Sequence, residues 1–234
     1  LAGVSQLRPH MPWHRRYRAE LMLAVFAFII RAAYVLFFPQ FKIEGGDGVI
    51  YLGLSDLVRG LRDHVPDAPT FYPIVYPHLL AGIRILFGEN PVWIRLVQSL
   101  MSAGTVLMMM LMARRWINRE AGLAAGLIGA LYVPMIFESG TIYTETTYMF
   151  FLTASVGAGV LASEAIRLRH ALYAGIAFVF AGLTRELGFY QAALFAAWAG
   201  IARRSWKIAA LILVPTLLAL GGVAIRNAAI AERL

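Results

Sequence analysis

The run AELMLAVFAFIIRAAYVLFFP, from Ala19 to Pro39, decides the fold class. Its roughly 20 residues are enough, at about 1.5 Å per residue, to cross the ~30 Å hydrocarbon core of a bilayer. One interior charge, Arg31, interrupts it, and Arg15, Arg16 and Arg18 lead into it. The run is too long for the apolar region of a signal peptide and lacks a small-residue cleavage site. It therefore reads as a transmembrane helix. Further apolar runs follow at 93–113, 121–137, 146–163, 171–184, 189–202 and 208–223. The expected fold is all-α: a polytopic membrane bundle of about seven transmembrane helices.

Composition agrees. Hydrophobic residues make up 60% of the 234 residues and charged ones only 15%, against about 25% charged in soluble domains. The formal charge of +8 falls in short clusters between apolar runs. That pattern belongs to membrane topology rather than to nucleic-acid binding. With no cysteine in the chain, thiolate metal sites, disulfides and thiol nucleophiles are excluded.

Topology follows from charge. The segment 71–88 is apolar but short and punctuated by Pro and Gly. If it does not cross, the clusters at 8–18, 114–119, 167–169 and 203–207 share one side. They carry twelve Arg or Lys against three acids, Glu20, Glu120 and Glu164. If it crosses, the first cluster lands opposite the others. The positive-inside rule selects the first arrangement. The N-terminus is then cytoplasmic, 40–92 is a large external loop, and 71–88 is a juxtamembrane or re-entrant helix. Within the loop, 47–62 has helical apolar spacing and predicts a short surface helix. Gly122, Gly126 and Gly129 in the third span predict close helix packing.

Charged residues near lipid invite functional readings. Asp47, Glu138, Glu145, Arg185, Glu186 and Arg226 all map to the outer helix ends. Asp47, in Gly46-Asp47-Gly48, is either an N-cap for the loop helix or an accessible reactive carboxylate. Glu145 sits where a helix dipole stabilises it. Glu138 is either solvated loop or part of a site. Arg185 either pairs with Glu145 or Glu186 or binds an anion, and Arg226 either anchors at the interface or does the same. His78 reads as a hydrogen-bonded structural residue or a site residue. No metal-ligand spacing, phosphate loop or nucleophile elbow is present, so carboxylates and arginines must carry any chemistry.

Several motifs, in order, resemble the N-terminal half of the GT-C membrane glycosyltransferases, the relatives of protein O-mannosyltransferases and aminoarabinose transferases. They are Arg31 with Tyr34; Gly46-Asp47-Gly48 with Tyr51; Tyr76-Pro77, Leu86-Phe87-Gly88 and Arg95-Leu96; Ala130-Leu131-Tyr132-Val133-Pro134 through Thr144-Glu145; Gly182-Leu183-Thr184-Arg185; and Arg226-Asn227. Three departures stand out: Gly48 and Glu186 replace the family's common Glu and Pro, and the relatives are about twice as long. The expectation is a single transmembrane module over 1–234, with the family's C-terminal part absent.

The resemblance implies sugar transfer from a polyprenyl-phosphate donor to an acceptor on the outer face. It implies no cofactor beyond the lipid-linked sugar, with a divalent metal left open. Asp47 and Glu145 would be the catalytic pair. Arg185, Arg84 and Arg226 would bind the donor phosphate, and Tyr51, His78 and Glu138 would contact or orient the acceptor. The implied location is a bacterial inner membrane with the active side outside. Implied partners are membrane lipid, the lipid-linked sugar and other membrane subunits, with no nucleic acid. Two rivals stay open: a non-catalytic GT-C-like scaffold subunit of a larger complex, and a transporter, for which Arg31 is the one interior charge.

Overall fold

A computed structural model describes residues 17–38, 46–65, 72–165 and 167–231. The described residues form helices joined by short turns. In chain order these are α1 Arg18–Phe37, α2 Asp47–Val58, α3 Val75–Phe87, α4 Pro91–Trp116, α5 Arg119–Leu131, α6 Val133–Gly140, α7 Glu145–Ala165, α8 Leu168–Thr184, α9 Leu187–Ile201 and α10 Trp206–Ala231. Four of them, α1, α4, α7 and α10, are long and apolar enough to cross a bilayer, and α5 with α6 forms a fifth candidate bent by 50°. The apolar α8 and α9 have 17 and 15 residues. The chain is an all-α, multi-pass integral membrane protein.

The helices gather into two groups. In the first, α1, α4 and α5 enclose Ala27, Ala103, Val106, Met110 and Ala130. Here the expected glycine packing is present: a Cβ on Gly122 would lie 2.9 Å from the Met110 carbonyl, and Gly129 faces Met109 and Val106. In the second, α7 to α10 close around Phe178, Ile208, Ile212 and a set of alanines. α4 joins the groups by packing on α7. At the Arg-rich end the seam is pinned by Arg115 Nε, which donates to Glu164 Oε2 at 2.8 Å, and by Trp116 Nε1 on Glu164 Oε1 at 3.1 Å. Nearby, Arg114 pairs with the buried Glu20 of α1.

Three expectations need correction. The third span is not one continuous helix: it breaks at Tyr132, whose ψ of 105° is extended. Pro134 is the physical reason, since it has no N–H to offer the Ala130 carbonyl four residues back. Arg31 fills the gap. Its Nη1 donates to Ala130 O at 3.2 Å and to Ala27 O at 2.9 Å, Nη2 to Gly129 O at 2.9 Å, and Nε to Ser102 Oγ at 2.7 Å. The loop helix ends at Val58, before Gly60 at φ +70°. Asp47 does not cap it: Gly46 is the N-cap and makes no side-chain cap bond.

The 71–88 segment yields α3, only 13 residues long. At about 20 Å it falls short of the hydrocarbon core. It lies against α2 and α4. Arg84 and Arg59 bind Glu89 and Asp56 and staple α2 to α3; Arg84 Nη1 is 2.8 Å from Asp56 Oδ1.

Candidate active site

The site forms where α2, α7, α8, α9 and α10 end together, opposite the Arg-rich end. Gly46 adopts φ +79°, a conformation suited to glycine, and turns the chain into α2. Asp47 is therefore the first helical residue, exposed and without a capping bond. Tyr51 follows four residues later, on the same helical face.

The facing wall comes from three helix ends. Glu145 opens α7, where the helix dipole favours its charge. Arg185 leaves α8 with extended backbone at φ −147° and ψ 132°. Its Nη1 pairs with Glu145 Oε1 and lies 3.4 Å from Thr144 Oγ1. Both partners are about 40% exposed, Arg185 at 37% and Glu145 at 39%, so the pair is reachable from the cavity. The turn holding Arg185 is tight because Gly188 sits on the Ala181–Gly182 backbone. From α10, Arg226 Nη2 donates to Asn227 Oδ1 at 2.9 Å and to Tyr72 O at 3.3 Å. Its guanidinium lies 4.8 Å from the Tyr72 ring centre. These partners are all uncharged. A backbone bond from Ile74 N to Leu183 O, 3.0 Å, ties the Tyr72 segment to the end of α8.

Together these groups line an open cavity of ≈ 410 Å³. Asp47, Tyr51, Tyr143, Glu145, Arg185 and Arg226 supply its polar wall, and Leu187, Phe189 and Val223 an apolar one. Glu186 lines the cavity as well, so three carboxylates face two guanidinium groups, a formal excess of one negative charge. The Tyr51 phenol is pushed above its ordinary value by burial and then by the negative charges of Asp47 and Glu145. It therefore stays a neutral hydroxyl at physiological pH.

Of the eight residues given site roles from the sequence, five meet in this cavity, Asp47, Tyr51, Glu145, Arg185 and Arg226, and Glu186, also placed at an outer helix end, joins them. Glu138 lies on α6 and lines a neighbouring cavity of ≈ 210 Å³ with Thr105, Pro134, Met135 and Met149. Glu145 borders both cavities. Arg84 sits instead in the α2–α3 staple. His78 places Nδ1 2.7 Å from Ile74 O and does not line the cavity. Arg31 lines neither cavity and is fully buried against neutral oxygens. That burial denies the transporter reading its interior charge.

Tyr72 and Tyr143 were given no site role from the sequence, and Thr144 entered only as part of the Thr144-Glu145 motif. Their only sequence signal is adjacency, to Pro73 and to Glu145. Among the described residues no group of three or more His, Asp or Glu is gathered as a metal site requires.

Residues 72–225 match the model of the dolichyl-phosphate-mannose-protein mannosyltransferase family. Comparison with curated proteins and with solved structures gives no match. The matched stretch covers more than half of the chain and includes Glu145 and Arg185. Asp47 and Tyr51 precede it, and it stops one residue before Arg226. The chain thus belongs to the dolichyl-phosphate-mannose-protein mannosyltransferase family, whose members are membrane glycosyltransferases of the GT-C type.

Proposed function

We propose that this protein transfers a sugar from a polyprenyl-phosphate donor to an acceptor hydroxyl, at the ≈ 410 Å³ cavity on the outer face of the membrane. The observation that supports this most is the meeting of Asp47, Glu145, Arg185 and Arg226 in one cavity at the end of an apolar bundle. The arginines suit a lipid phosphate. Arg226 has only neutral partners among the described residues, so an anion gains its charge at little cost in broken ion pairs. The apolar Leu187, Phe189 and Val223 give the start of the lipid chain a way out beside it.

In this reading Asp47 is the general base. The acceptor oxygen attacks the anomeric carbon while its proton passes to the Asp47 carboxylate. The bond from that carbon to the phosphate oxygen breaks, and its electron pair leaves with the lipid phosphate. Arg185 and Arg226 stabilise the growing negative charge. Glu145 holds Arg185 and orients the acceptor. One displacement inverts the anomeric configuration. Outward orientation rests on the charge asymmetry: the Arg-rich end lies opposite the cavity.

The test is Asp47→Asn, measured with a radiolabelled polyprenyl-phosphate sugar. Asp47 is exposed and caps nothing, so folding is unaffected. Transfer falls by about 10²–10⁴-fold, the usual worth of a positioned base. Full activity in the folded variant removes Asp47 from that role.

A further inference from the structure

The two walls of the cavity are far apart in sequence; at the cavity a side-chain hydrogen bond joins Tyr51 to Thr144, and the Ile74 N to Leu183 O bond ties the entry of α3 to the end of α8. One buried side chain connects to both. Gln98 is fully buried in α4. Its Oε1 accepts from Tyr76 Oη at 2.6 Å. Its Nε2 donates to Thr141 O at 2.5 Å and to Ser139 O at 3.3 Å, with Glu138 O at 3.5 Å. On the Tyr76 side the chain of contact reaches Asp47: the Tyr76 ring meets Tyr51 edge-on, with centroids 5.0 Å apart, and Tyr51 is one turn from Asp47. On the carbonyl side it reaches Glu145, four residues beyond Thr141. Ile142, between them, is buried against Tyr76, Leu80 and Ile94.

A buried amide with both ends engaged is geometrically demanding. Its oxygen must face a donor and its nitrogen must face acceptors, and neither apolar nor anionic replacements do both. None of these atoms touches the cavity. Gln98 is thus suited to set a distance rather than to contact substrate.

We propose that Gln98 is the positioning residue that sets the separation of the Asp47–Tyr51 wall from the Glu145–Arg185 wall. It rests on the glycosyl-transfer reading for its kinetic consequence, but its geometric consequence stands without it. A base displaced by about 1 Å costs on the order of 10²-fold in rate. Loss of Gln98 therefore lowers kcat much more than it raises the donor KM.

The experiment uses the full chain with Gln98→Leu, Gln98→Glu and Tyr76→Phe. Gln98→Leu loses about 10²-fold in kcat with a smaller change in KM. In Gln98→Glu the ionised carboxylate faces three carbonyl oxygens, whereas the protonated acid donates with one oxygen and accepts with the other, as the amide does. Its kcat relative to the unaltered protein therefore rises as pH falls. The same ratio for Gln98→Leu is flat. A role in stability alone predicts lowered thermal stability with no such pH-dependent recovery of kcat. A flat ratio for a folded Gln98→Glu overturns the proposal, as does a Gln98→Leu protein with kcat within about threefold.

A second readout needs no activity. The chain lacks cysteine, so spin labels at the exposed positions Val49 on α2 and Tyr190 on α9 report the separation directly. The expected result is a shifted or broadened distance distribution in each variant. An unchanged distribution overturns the proposal even if no transfer is detected. Failure of the unaltered protein to transfer sugar, with shifted distances in the variants, counts against the glycosyl-transfer reading and supports the geometric one.

Discussion

Replacing Arg31 with Met tests how the broken third span is held. The guanidinium makes four hydrogen bonds at 2.7–3.2 Å, all to uncharged oxygens. Two of its acceptors, Gly129 O and Ala130 O, close α5 at the break, and Pro134 cannot serve Ala130 O. Each buried carbonyl deprived of its donor costs about 1–3 kcal/mol, or about 2–6 kcal/mol for the pair. Hydrogen bonds measured within membranes are worth less, about 0.6 kcal/mol on average. Removing a desolvated cation also recovers part of the loss. The expected net loss is about 2–4 kcal/mol. Arg31→Lys keeps the charge but loses the planar fork that reaches two helices at once, so it loses about half as much. The assay is unfolding of the purified protein in mixed micelles, followed by tryptophan fluorescence. An Arg31→Met protein as stable as the unaltered one, or more so, refutes the idea that Arg31 stabilises the break.

Gly188→Ala places a Cβ 2.5 Å from the Ala181 carbonyl carbon, so the α8–α9 turn opens. A loss of about 1–3 kcal/mol in micellar unfolding is expected, with Arg185 displaced from Glu145. Arg226→Ala raises the donor KM by about 10–100-fold, the worth of a charge-assisted hydrogen bond of about 1.5–3 kcal/mol, and an unchanged KM removes Arg226 from the phosphate site. Glu89 is held below the usual carboxylate range by hydrogen bonds from Arg59 and then Arg84. A lowered carboxylate contributes stability above its unfolded value that fades as pH falls through the folded one. The α2–α3 staple therefore loosens as pH falls below the ordinary glutamate value, visible as faster proteolysis of the loop. Glu89→Gln flattens that acid dependence.

Much of this architecture was legible in the chain. The apolar runs named the main helices because, in lipid, backbone groups must be satisfied within a segment and length is set by bilayer thickness. Gly122, Gly126 and Gly129 announced a close helix contact. The break at Tyr132 was not foreseen, although Pro134 was in view, because an apolar window averages over a proline. The capping role weighed for Asp47 failed for a local reason: Gly46 turns the chain one residue earlier.

The site was legible in part. Asp47, Glu145, Arg185 and Arg226 attract attention as charges at the ends of oily segments, which is a one-dimensional property. Arg84 attracts it equally, yet belongs to the α2–α3 staple with Asp56 and Glu89. No spacing separates the two cases, since both are arginines in apolar surroundings.

By itself, the amino-acid sequence determined that this is a multi-pass helical membrane protein and on which end its acids collect. Segment length, hydropathy and charge asymmetry act segment by segment, so they survive in one dimension. Only tertiary structure decided which charges share a cavity, and that Gln98 joins its walls. Asp47, Glu145, Arg185 and Arg226 come from four different helices or helix ends. Their distances depend on how α2 and α3 lie across the bundle and on where α5 breaks. Those are properties of packing between segments, and no local signal carries them.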